Sequence, residues 1–312
     1  MVKVKLRRFQ FDSIPKDGRI ILVIGRRGSG KSTLLEDILF HTQNRYDYTL
    51  GMSPTHNSIQ MLERHMPREM VFDEGFSKEQ FQKLIALSAL IARKNKLRNG
   101  GLILDDCNAD KEAFKSVTMR DAFMNGRQYG MNIVWAMHYC MDILPSLRTQ
   151  VDYVFVLKDN IRKNKERLYN SFFGVFPRLD DFIKVMDQCT ENNECLVLDN
   201  TKPNPDPKTC LFWYKAKRSE ELPPFRLGKP IFYQLGQYFR KETPENEDLL
   251  NVHIRPGHQR QPVACGNDKN PRVECVEKEE EPPENEYPDA DDPRCHQQQQ
   301  LYAPVPYGMS AR

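Results

Sequence analysis

The residues most able to do chemistry lie in one short glycine-rich run that ends in a lysine and a serine. The run reads GRRGSGKS at 25–32, and the apolar stretch IILVI at 20–24 precedes it. Glycines let the backbone turn tightly and point its N–H groups at phosphate oxygens. In such a run the lysine reaches the β- and γ-phosphates, and the serine ligates Mg²⁺. The spacing predicts a phosphate-binding loop, with ATP and Mg²⁺ as cofactors.

Each position of this loop has an expected role. Lys31 is the catalytic cation and Ser32 a metal ligand, and the helix that begins near Lys31 adds its positive end to the same anion. A chance glycine-rich turn is the alternative, but the strand before the run and the amphipathic segment after it favour a nucleotide site. The predicted nucleotide-binding residues are Gly25, Arg26, Arg27, Gly28, Ser29, Gly30, Lys31, Ser32 and Thr33.

Two adjacent carboxylates end the second informative segment, GLILDDC at 101–107. The apolar residues before them indicate a short buried strand. We predict that Asp105 holds Mg²⁺, usually through water, and that Asp106 is the general base for the attacking water. The alternative is a pair of helix-capping aspartates. A phosphate loop upstream favours the catalytic interpretation, because such a loop requires a metal-binding carboxylate.

Three further side chains are candidates for contact with the reacting phosphate. His138 follows a predicted strand and could hydrogen-bond the attacking water or the γ-phosphate. Arg127 and Arg148 flank the same strand, and either could stabilise transition-state charge as an arginine finger on a neighbouring subunit. For each residue the alternative is structural: a hydrogen bond for the histidine, and a surface ion pair for an arginine.

The order of the predicted elements favours an α/β fold with a mostly parallel sheet flanked by helices. Ligands of such folds bind at the carboxyl ends of the strands. Gly25, Asp105 and His138 all lie at the carboxyl ends of predicted strands, so we expect them to converge on one phosphate. The predicted strands are 20–24, 48–52, 102–105, 133–137, 151–157, 195–199 and 210–214, and the predicted helices are 31–41, 78–94, 111–124, 162–173 and 177–186.

Composition divides the chain near residue 241. Residues 241–312 hold 15 acidic and 8 basic residues, whereas 1–240 carry a net charge of about +10. Few large apolar residues in the acidic part could offset the entropy of ordering it. We therefore predict an ATPase domain at 1–240 and an acidic, Pro/Glu-rich, disordered tail at 241–312. A basic domain suggests an anionic partner such as nucleic acid, with ordinary surface charge as the alternative.

The chain contains eight cysteines, and none of them forms a C-x-x-C pair with zinc-like spacing. The N-terminus lacks the apolar core of a signal peptide, and no run approaches 18 apolar residues. We predict reduced core thiols, no signal peptide and no membrane span.

Several blocks in a fixed order resemble the genome-packaging ATPases of nucleocytoplasmic large DNA viruses, which belong to the FtsK-HerA branch of P-loop NTPases. The phosphate loop alone is common to many NTPases, and the later blocks are more specific. The resemblance covers residues 20 to 217 and leaves out the tail. The blocks are GRRGSGKS at 25–32, LILDDC at 102–107, FMNGR at 123–127, LPSLRTQVDYVFVLK at 144–158, FFGVF at 172–176 and WYKA at 213–216.

The resemblance implies an ATP-hydrolysing motor that translocates double-stranded viral DNA into a preformed capsid. It also implies a homo-oligomeric ring, capsid or portal-vertex proteins as partners, and a location at virus assembly sites in the host cytoplasm, with the virion as a second location. Relatives tend to have Gly-Arg-His before the strand of His138 and Gln after it. This chain has Gln128 before that strand and His138 after it, so the sensor role of His138 departs from the family pattern.

Other classes remain open at the level of sequence. A cellular DNA translocase or helicase of the same branch would share all of these motifs. A small-molecule P-loop kinase would share the loop, but it should show an arginine-rich lid and an acceptor pocket. A capsid or scaffold component that only binds nucleotide has no chemical need of the second carboxylate, Asp106.

Overall fold

Within the residues that the structure describes, ten strands form one mostly parallel sheet. The computed structural model describes residues 2–73, 75–94, 99–107, 116–202, 206–235 and 273–278. The strands are β1 Val2–Arg8, β2 Ile20–Ile24, β3 Tyr48–Met52, β4 Val71–Phe72, β5 Gly100–Asp105, β6 Met131–Met137, β7 Tyr153–Val156, β8 Glu194–Asp199, β9 Leu211–Lys215 and β10 Val273–Lys278. Their order across the sheet is β10-β1-β9-β8-β7-β2-β6-β5-β3-β4.

Strand β2 lies near the middle of the sheet and pairs in parallel with β6 on one side and β7 on the other. Strand β5 pairs in parallel with β6, so β6 separates the strand of the phosphate loop from the strand of the two aspartates. Only β8 runs against its neighbours among the described pairs, antiparallel to both β7 and β9. The predicted fold class is confirmed.

Helices cover both faces of the sheet. Successive residues of β2 point to opposite faces, so the strand contributes to an apolar cluster on each face. The helices are α1 Lys31–Thr42, α2 His56–His65, α3 Lys78–Lys94, α4 Val117–Asn125, α5 Pro145–Arg148, α6 Arg162–Phe172, α7 Leu179–Cys189, α8 Pro207–Cys210 and α9 Pro230–Leu235. Leu22 and Ile24 belong to one apolar cluster, with α3, α4, α6 and α7, while Ile21 and Val23 belong to the other, with α1 and α2. All five residues of β2 are buried, as expected for a parallel strand covered on both faces.

Several predicted boundaries change in the structure. The predicted helix 111–124 is described only as α4, which begins at Val117 after Ser116 caps its first turn, since 108–115 lie outside the described residues. Helix α2 and the two-residue strand β4 were not predicted. The predicted tail, 241–312, lies outside the described residues except for β10, which pairs in parallel with β1. The division at residue 241 stays a prediction.

After β9 the chain returns across α1 and α2. Phe225 stacks on the ring of His65 with 3.8 Å between centroids, and the backbone N–H of Leu227 donates to the carbonyl of His65 at 2.6 Å. The ammonium of Lys229 then lies 2.6 Å from the carboxylate of Asp47. This return segment, residues 218–235, therefore packs on its own domain.

A buried polar cluster joins α1 to the end of β9. The carboxylate of Asp37 accepts hydrogen bonds from the hydroxyl of Tyr214 at 2.5 Å and from the backbone N–H of Lys217 at 3.3 Å. Burial raises the pKa of Asp37 to about 6, although both hydrogen bonds oppose the shift. Burial also lowers the pKa of the neighbouring His41 to about 4, so the two side chains are not a charged pair at neutral pH.

We expect the free energy of unfolding of Asp37→Asn, relative to that of wild type, to increase by about 3 kcal/mol as the pH rises from about 4 to about 7. Over this interval folded wild type binds more protons at Asp37 than the unfolded chain does. The contribution of Asp37 to the stability of wild type therefore decreases as the pH rises, and this decrease is absent in the variant. Urea unfolding at several pH values measures the difference in the free energy of unfolding.

His41→Phe is the complementary variant, since phenylalanine keeps the stacked ring contact with Phe11. The lowered pKa of His41 means that folded wild type binds fewer protons there than the unfolded chain does. The difference between this variant and wild type should therefore change in the opposite direction over the same pH interval. If the difference in the free energy of unfolding from wild type stays constant with pH in both variants, the shifted pKa values of Asp37 and His41 are contradicted.

Candidate nucleotide site

The glycine-rich run forms a tight loop between β2 and α1. The backbone N–H of Gly25 donates to the carbonyl of Met137 at 3.1 Å, so the loop leaves the sheet beside the end of β6. Within the loop the hydroxyl of Ser29 donates to the carbonyl of Arg26 at 2.7 Å. Gly28 and Gly30 have φ values of 77° and 92°, a left-handed conformation that glycine adopts without strain. Helix α1 starts immediately after this turn.

The surroundings of the loop fit a bound phosphate chain. A Cβ atom added to Gly28 or Gly30 would meet no atom of the described residues within 4 Å, so these residues leave space in front of the turn. Arg26, Arg27 and Ser32 are exposed at the same place. Ser29 and Thr33 are partly exposed.

We expect Gly25→Ala to weaken ATP binding about 10- to 100-fold. The added Cβ would lie 2.5 Å from the hydroxyl oxygen of Ser29 and 2.9 Å from a methyl of Leu157, so the loop must shift. Overpacking of this kind costs about 1–3 kcal/mol, and each 1.4 kcal/mol changes a dissociation constant about tenfold. Titration with a fluorescent ATP analogue measures the affinity. Gly174→Ala is the matched control, because nothing lies within 4 Å of its added Cβ; equal affinities in the two variants would contradict the prediction.

Lys31 lies between the two aspartates at the end of β5. Its ammonium is 2.6 Å from the Oδ1 atom of Asp106 and 3.4 Å from the Oδ1 atom of Asp105. The lysine side chain is 6% exposed and that of Asp105 is not exposed at all. The phosphate loop and the two carboxylates, separated by more than 70 positions in the sequence, thus meet in one site, as predicted.

Asp105 is the more deeply buried of the two carboxylates. Burial raises its pKa and the charge of Asp106 acts in the same direction, while Lys31 and a hydrogen bond from Ser58 oppose them. A bound divalent cation would, like Lys31, lower the pKa of Asp105. The carboxylate of Asp105 and the exposed hydroxyl of Ser32 are the hard oxygen ligands that Mg²⁺ prefers, and Mg²⁺ usually takes only one or two protein oxygens beside phosphates and water.

Asp106 has a backbone conformation that is uncommon for its residue type. Its φ is 54°, in the left-handed region, which aspartate and asparagine tolerate better than most residues. Its backbone N–H still donates to the carbonyl of Ala136 at 3.1 Å, so the turn comes directly at the end of the strand. The side chain of Asp106 is 21% exposed, which leaves it accessible from the phosphate loop.

His138 connects the loop to Asp106. Its Nδ1 atom lies 3.1 Å from the carbonyl oxygen of Gly25, and its Nε2 atom lies 3.2 Å from the Oδ1 atom of Asp106. The predicted convergence of Gly25, Asp105 and His138 at one edge of the sheet is present in the structure. The imidazole is thus placed to orient the carboxylate predicted to be the base.

Arg127 lies at the amino ends of the parallel strands, whereas the phosphate loop lies at their carboxyl ends. It comes before β6, and its guanidinium contacts the carboxylate of Asp152 at 2.6 Å. The same carboxylate contacts Arg19 at 3.1 Å and accepts from the backbone N–H of Ile20 at 2.9 Å, both at the start of β2. Arg127 is therefore separated from the Lys31 site of its own chain by the length of the strands.

Arg148 ends α5, in the connection between β6 and β7. Its guanidinium donates to the carbonyl of Ile143 at 3.0 Å and to the hydroxyl of Ser171 at 3.2 Å. These contacts attach the β6–β7 connection to α6. The structure does not bring Arg148 into the group formed by Lys31, Asp105 and Asp106.

Ser58 is a site residue that the sequence did not reveal. It is buried in the first turn of α2, and its hydroxyl donates to the Oδ2 atom of Asp105 at 2.6 Å. Cys107 also contacts the edge of the site through its thiol, which donates to the carbonyl of Met52 at 3.1 Å. Burial raises the pKa of Cys107 to about 12, so the thiol stays protonated.

A phosphate loop on a central parallel strand, with a lysine and two carboxylates meeting at the same edge, defines the class of the protein. It has the fold and the site of a P-loop NTPase. No protein-family model matches the chain.

Relatives in viruses identify the family. The chain is 30% identical over 267 residues to protein L437 of Acanthamoeba polyphaga mimivirus, covering 80% of this chain and 92% of that protein. It is 29% identical over 218 residues to protein 088R of Invertebrate iridescent virus 3, covering 68% of this chain and 81% of that protein. The chain belongs to this family of nucleocytoplasmic large DNA virus proteins, which confirms the group of viruses predicted from the sequence blocks.

Solved structures to which the chain is similar include a viral NTPase and a secretion ATPase. The genome packaging NTPase B204 from Sulfolobus turreted icosahedral virus 2, in complex with AMPPCP, is 16% identical, with 65% of this chain and 100% of that chain covered and a TM-score of 0.47. The type VII secretion ATPase EccC of Thermomonospora curvata is 13% identical, with 77% and 30% covered and a TM-score of 0.45.

In the part of the chain that the structure describes, no helix is long and apolar enough to cross a membrane.

Proposed function

We propose that this protein is an ATP-hydrolysing motor that translocates double-stranded viral DNA into a preformed capsid. The observation that carries the ATPase part is the meeting of Lys31, Asp106 and His138, which come after three different strands, beside the phosphate loop. The DNA-packaging part is supported by membership of a family found in large DNA viruses and by the sequence blocks quoted above.

Binding of ATP is assigned to the loop and its helix. The backbone N–H groups of residues 25–33 would contact the phosphates, together with the positive end of α1. Ser32 and Asp105 would hold Mg²⁺, which when bound neutralises phosphate charge and orients the γ-phosphate. Asp105 is the last residue of β5 and Ser32 lies in the first turn of α1, so a strand and a helix position the two metal ligands.

Hydrolysis is assigned to Asp106 as general base. Its Oδ1 atom now lies 2.6 Å from the ammonium of Lys31. A bound triphosphate offers that ammonium a second anionic partner, and its movement toward the phosphates would free the carboxylate oxygen to accept a proton from water. His138, between Asp106 and the carbonyl of Gly25, would keep the carboxylate oriented during this change.

Neither Arg127 nor Arg148 reaches the site within its own chain. As an arginine finger, either would have to act on the site of another subunit in the proposed homo-oligomeric ring. In it, Arg127 would have to leave Asp152, which would keep its contacts with Arg19 and Ile20. Arg148 would have to leave Ile143 and Ser171.

Duplex DNA is the proposed polymer substrate, and its backbone phosphates would supply most of the contacts. Residues 1–240 carry a charge of about +10, which favours a polyanion. Binding should depend little on sequence and weaken steeply with salt. Capsid or portal-vertex proteins are the proposed assembly partners, at virus assembly sites in the host cytoplasm and in the virion.

Two alternatives make different predictions. A cellular-type DNA translocase or helicase would also be stimulated by DNA, but it would act without a capsid. A small-molecule kinase would transfer phosphate to an acceptor rather than to water. The second carboxylate, Asp106, favours hydrolysis because it supplies a base for water beside the metal ligand.

The test is ATP hydrolysis by the purified full chain, with and without long double-stranded DNA, at low and high salt, with Lys31→Ala as the blank. We expect stimulation by duplex DNA that high salt removes. Turnover indifferent to DNA but raised by a small phosphoryl acceptor would overturn the motor and favour the kinase. Packaging of DNA into purified capsids would then separate a packaging motor from a cellular-type translocase.

A further inference from the structure

The two oxygens of Asp105 contact different groups. Oδ1 faces the ammonium of Lys31 at 3.4 Å, while Oδ2 accepts the hydroxyl hydrogen of Ser58 at 2.6 Å. Ser58 is 4% exposed, and it lies 47 positions before Asp105 in the sequence. The hydrogen bond therefore links the first turn of α2 directly to the carboxylate assigned to the metal.

Ser58 is the last of three hydroxyl groups in a row. The hydroxyl of Thr55 donates to the oxygen of Ser58 at 2.8 Å, and the hydroxyl oxygens of Ser53 and Thr55 lie 3.2 Å apart. Ser53 follows β3 directly, so the row runs from the end of that strand to Asp105.

The direction of every hydrogen in this row is determined, because a hydroxyl has only one hydrogen to donate. Ser58 uses its hydrogen on Asp105, and Thr55 uses its hydrogen on Ser58. Ser53 must therefore donate to Thr55, while its own oxygen accepts from the backbone N–H of Thr55 at 3.2 Å. All three dipoles point toward the carboxylate, and hydrogen bonds aligned in this way polarise one another.

We propose that Ser58 is a positioning residue that fixes the carboxylate of Asp105 for Mg²⁺, with Thr55 supporting it from the β3–α2 connection. With Oδ2 held by Ser58, Oδ1 is directed to the side where Lys31 and the phosphate loop lie. The inference rests on the proposed nucleotide site and adds to it a metal-specific role for α2. Groups that orient a metal ligand typically change metal affinity 10- to 100-fold when they are removed.

The experiment measures binding of a fluorescent, non-hydrolysable ATP analogue to the full-length protein, first in EDTA and then across a Mg²⁺ titration. For Ser58→Ala we expect unchanged affinity in EDTA and about a tenfold higher Mg²⁺ concentration at half-maximal effect. Ser58→Thr keeps the hydroxyl and should restore the wild-type Mg²⁺ requirement. Thr55→Val should show a smaller shift of the same kind.

Ser88→Ala is the matched control, since Ser88 is fully buried in α3 and its hydroxyl donates to the carbonyl of Leu84 at 2.8 Å, away from Asp105. It should leave the Mg²⁺ requirement unchanged. An unchanged requirement in Ser58→Ala would overturn the inference, and so would a shift that Ser58→Thr fails to reverse. If wild type itself bound no nucleotide, the proposed function would fail instead, so the two failures are distinguishable.

Discussion

Replacing Asp106 with asparagine is expected to lower ATP turnover about 10²- to 10⁴-fold while ATP remains bound, because a general base contributes rate enhancement of that size. Asparagine tolerates the φ of 54° at this position, and its amide oxygen can still accept from Lys31. The variant therefore removes the basic oxygen and preserves the backbone. Single-turnover hydrolysis, measured beside equilibrium binding of ATP, separates the two effects.

Asp180→Asn serves as the control for loss of a carboxylate. Asp180 pairs with Arg162 on the surface, with both side chains more than half exposed, and such pairs contribute little. Its turnover should equal that of wild type. Normal turnover in Asp106→Asn would remove Asp106 from the role of base.

Lys31→Ala is expected to have two consequences, one for ATP and one for the folded protein alone. ATP affinity should fall about 10- to 100-fold, since hydrogen bonds to charged groups contribute about 1.5–3 kcal/mol. Without nucleotide, the free energy of unfolding should also fall by about 3 kcal/mol, because the buried carboxylate of Asp105 loses its cation. Calorimetric ATP binding and urea unfolding measure the two quantities.

Two further variants separate these consequences. Adding Asp105→Asn to Lys31→Ala removes the uncompensated charge and should recover most of the lost stability, but it should not recover ATP binding. Lys165→Ala removes another buried lysine, which pairs with Asp187 on α7. That variant should lose stability and keep ATP binding. Full stability of Lys31→Ala in the absence of nucleotide would show that the ion pair does not stabilise the fold.

Much of the fold could be predicted because its signals are local. The strand Tyr48–Met52 and the helix Lys78–Lys94 have the bounds expected from hydrophobic patterning. Helix α2 escaped prediction because few apolar residues mark its buried side, chiefly Met61 and Leu62. Strand β4 has only two residues, too few for any periodic pattern.

The residues of the site also fall into those that the sequence could reveal and one that it could not. Lys31, Asp105 and Asp106 lie in motifs with their own spacing, so the sequence could reveal them. Ser58 acts on Asp105 across 47 positions, and no local pattern distinguishes it from any other serine near the start of a helix. A contact of that kind depends on how α2 packs beside β5, which only tertiary structure defines.

The position of Arg127 has a consequence for assembly. The nucleotide site of Lys31 and the Arg127–Asp152 pair lie at opposite ends of the strands of the same sheet. If Arg127 completes a neighbour's site in the proposed ring, each contact joins unlike surfaces, head to tail. Head-to-tail contacts either close into a ring or continue as an open filament. The angle between successive copies, rather than the strength of any single contact, would then decide whether every nucleotide site has a partner.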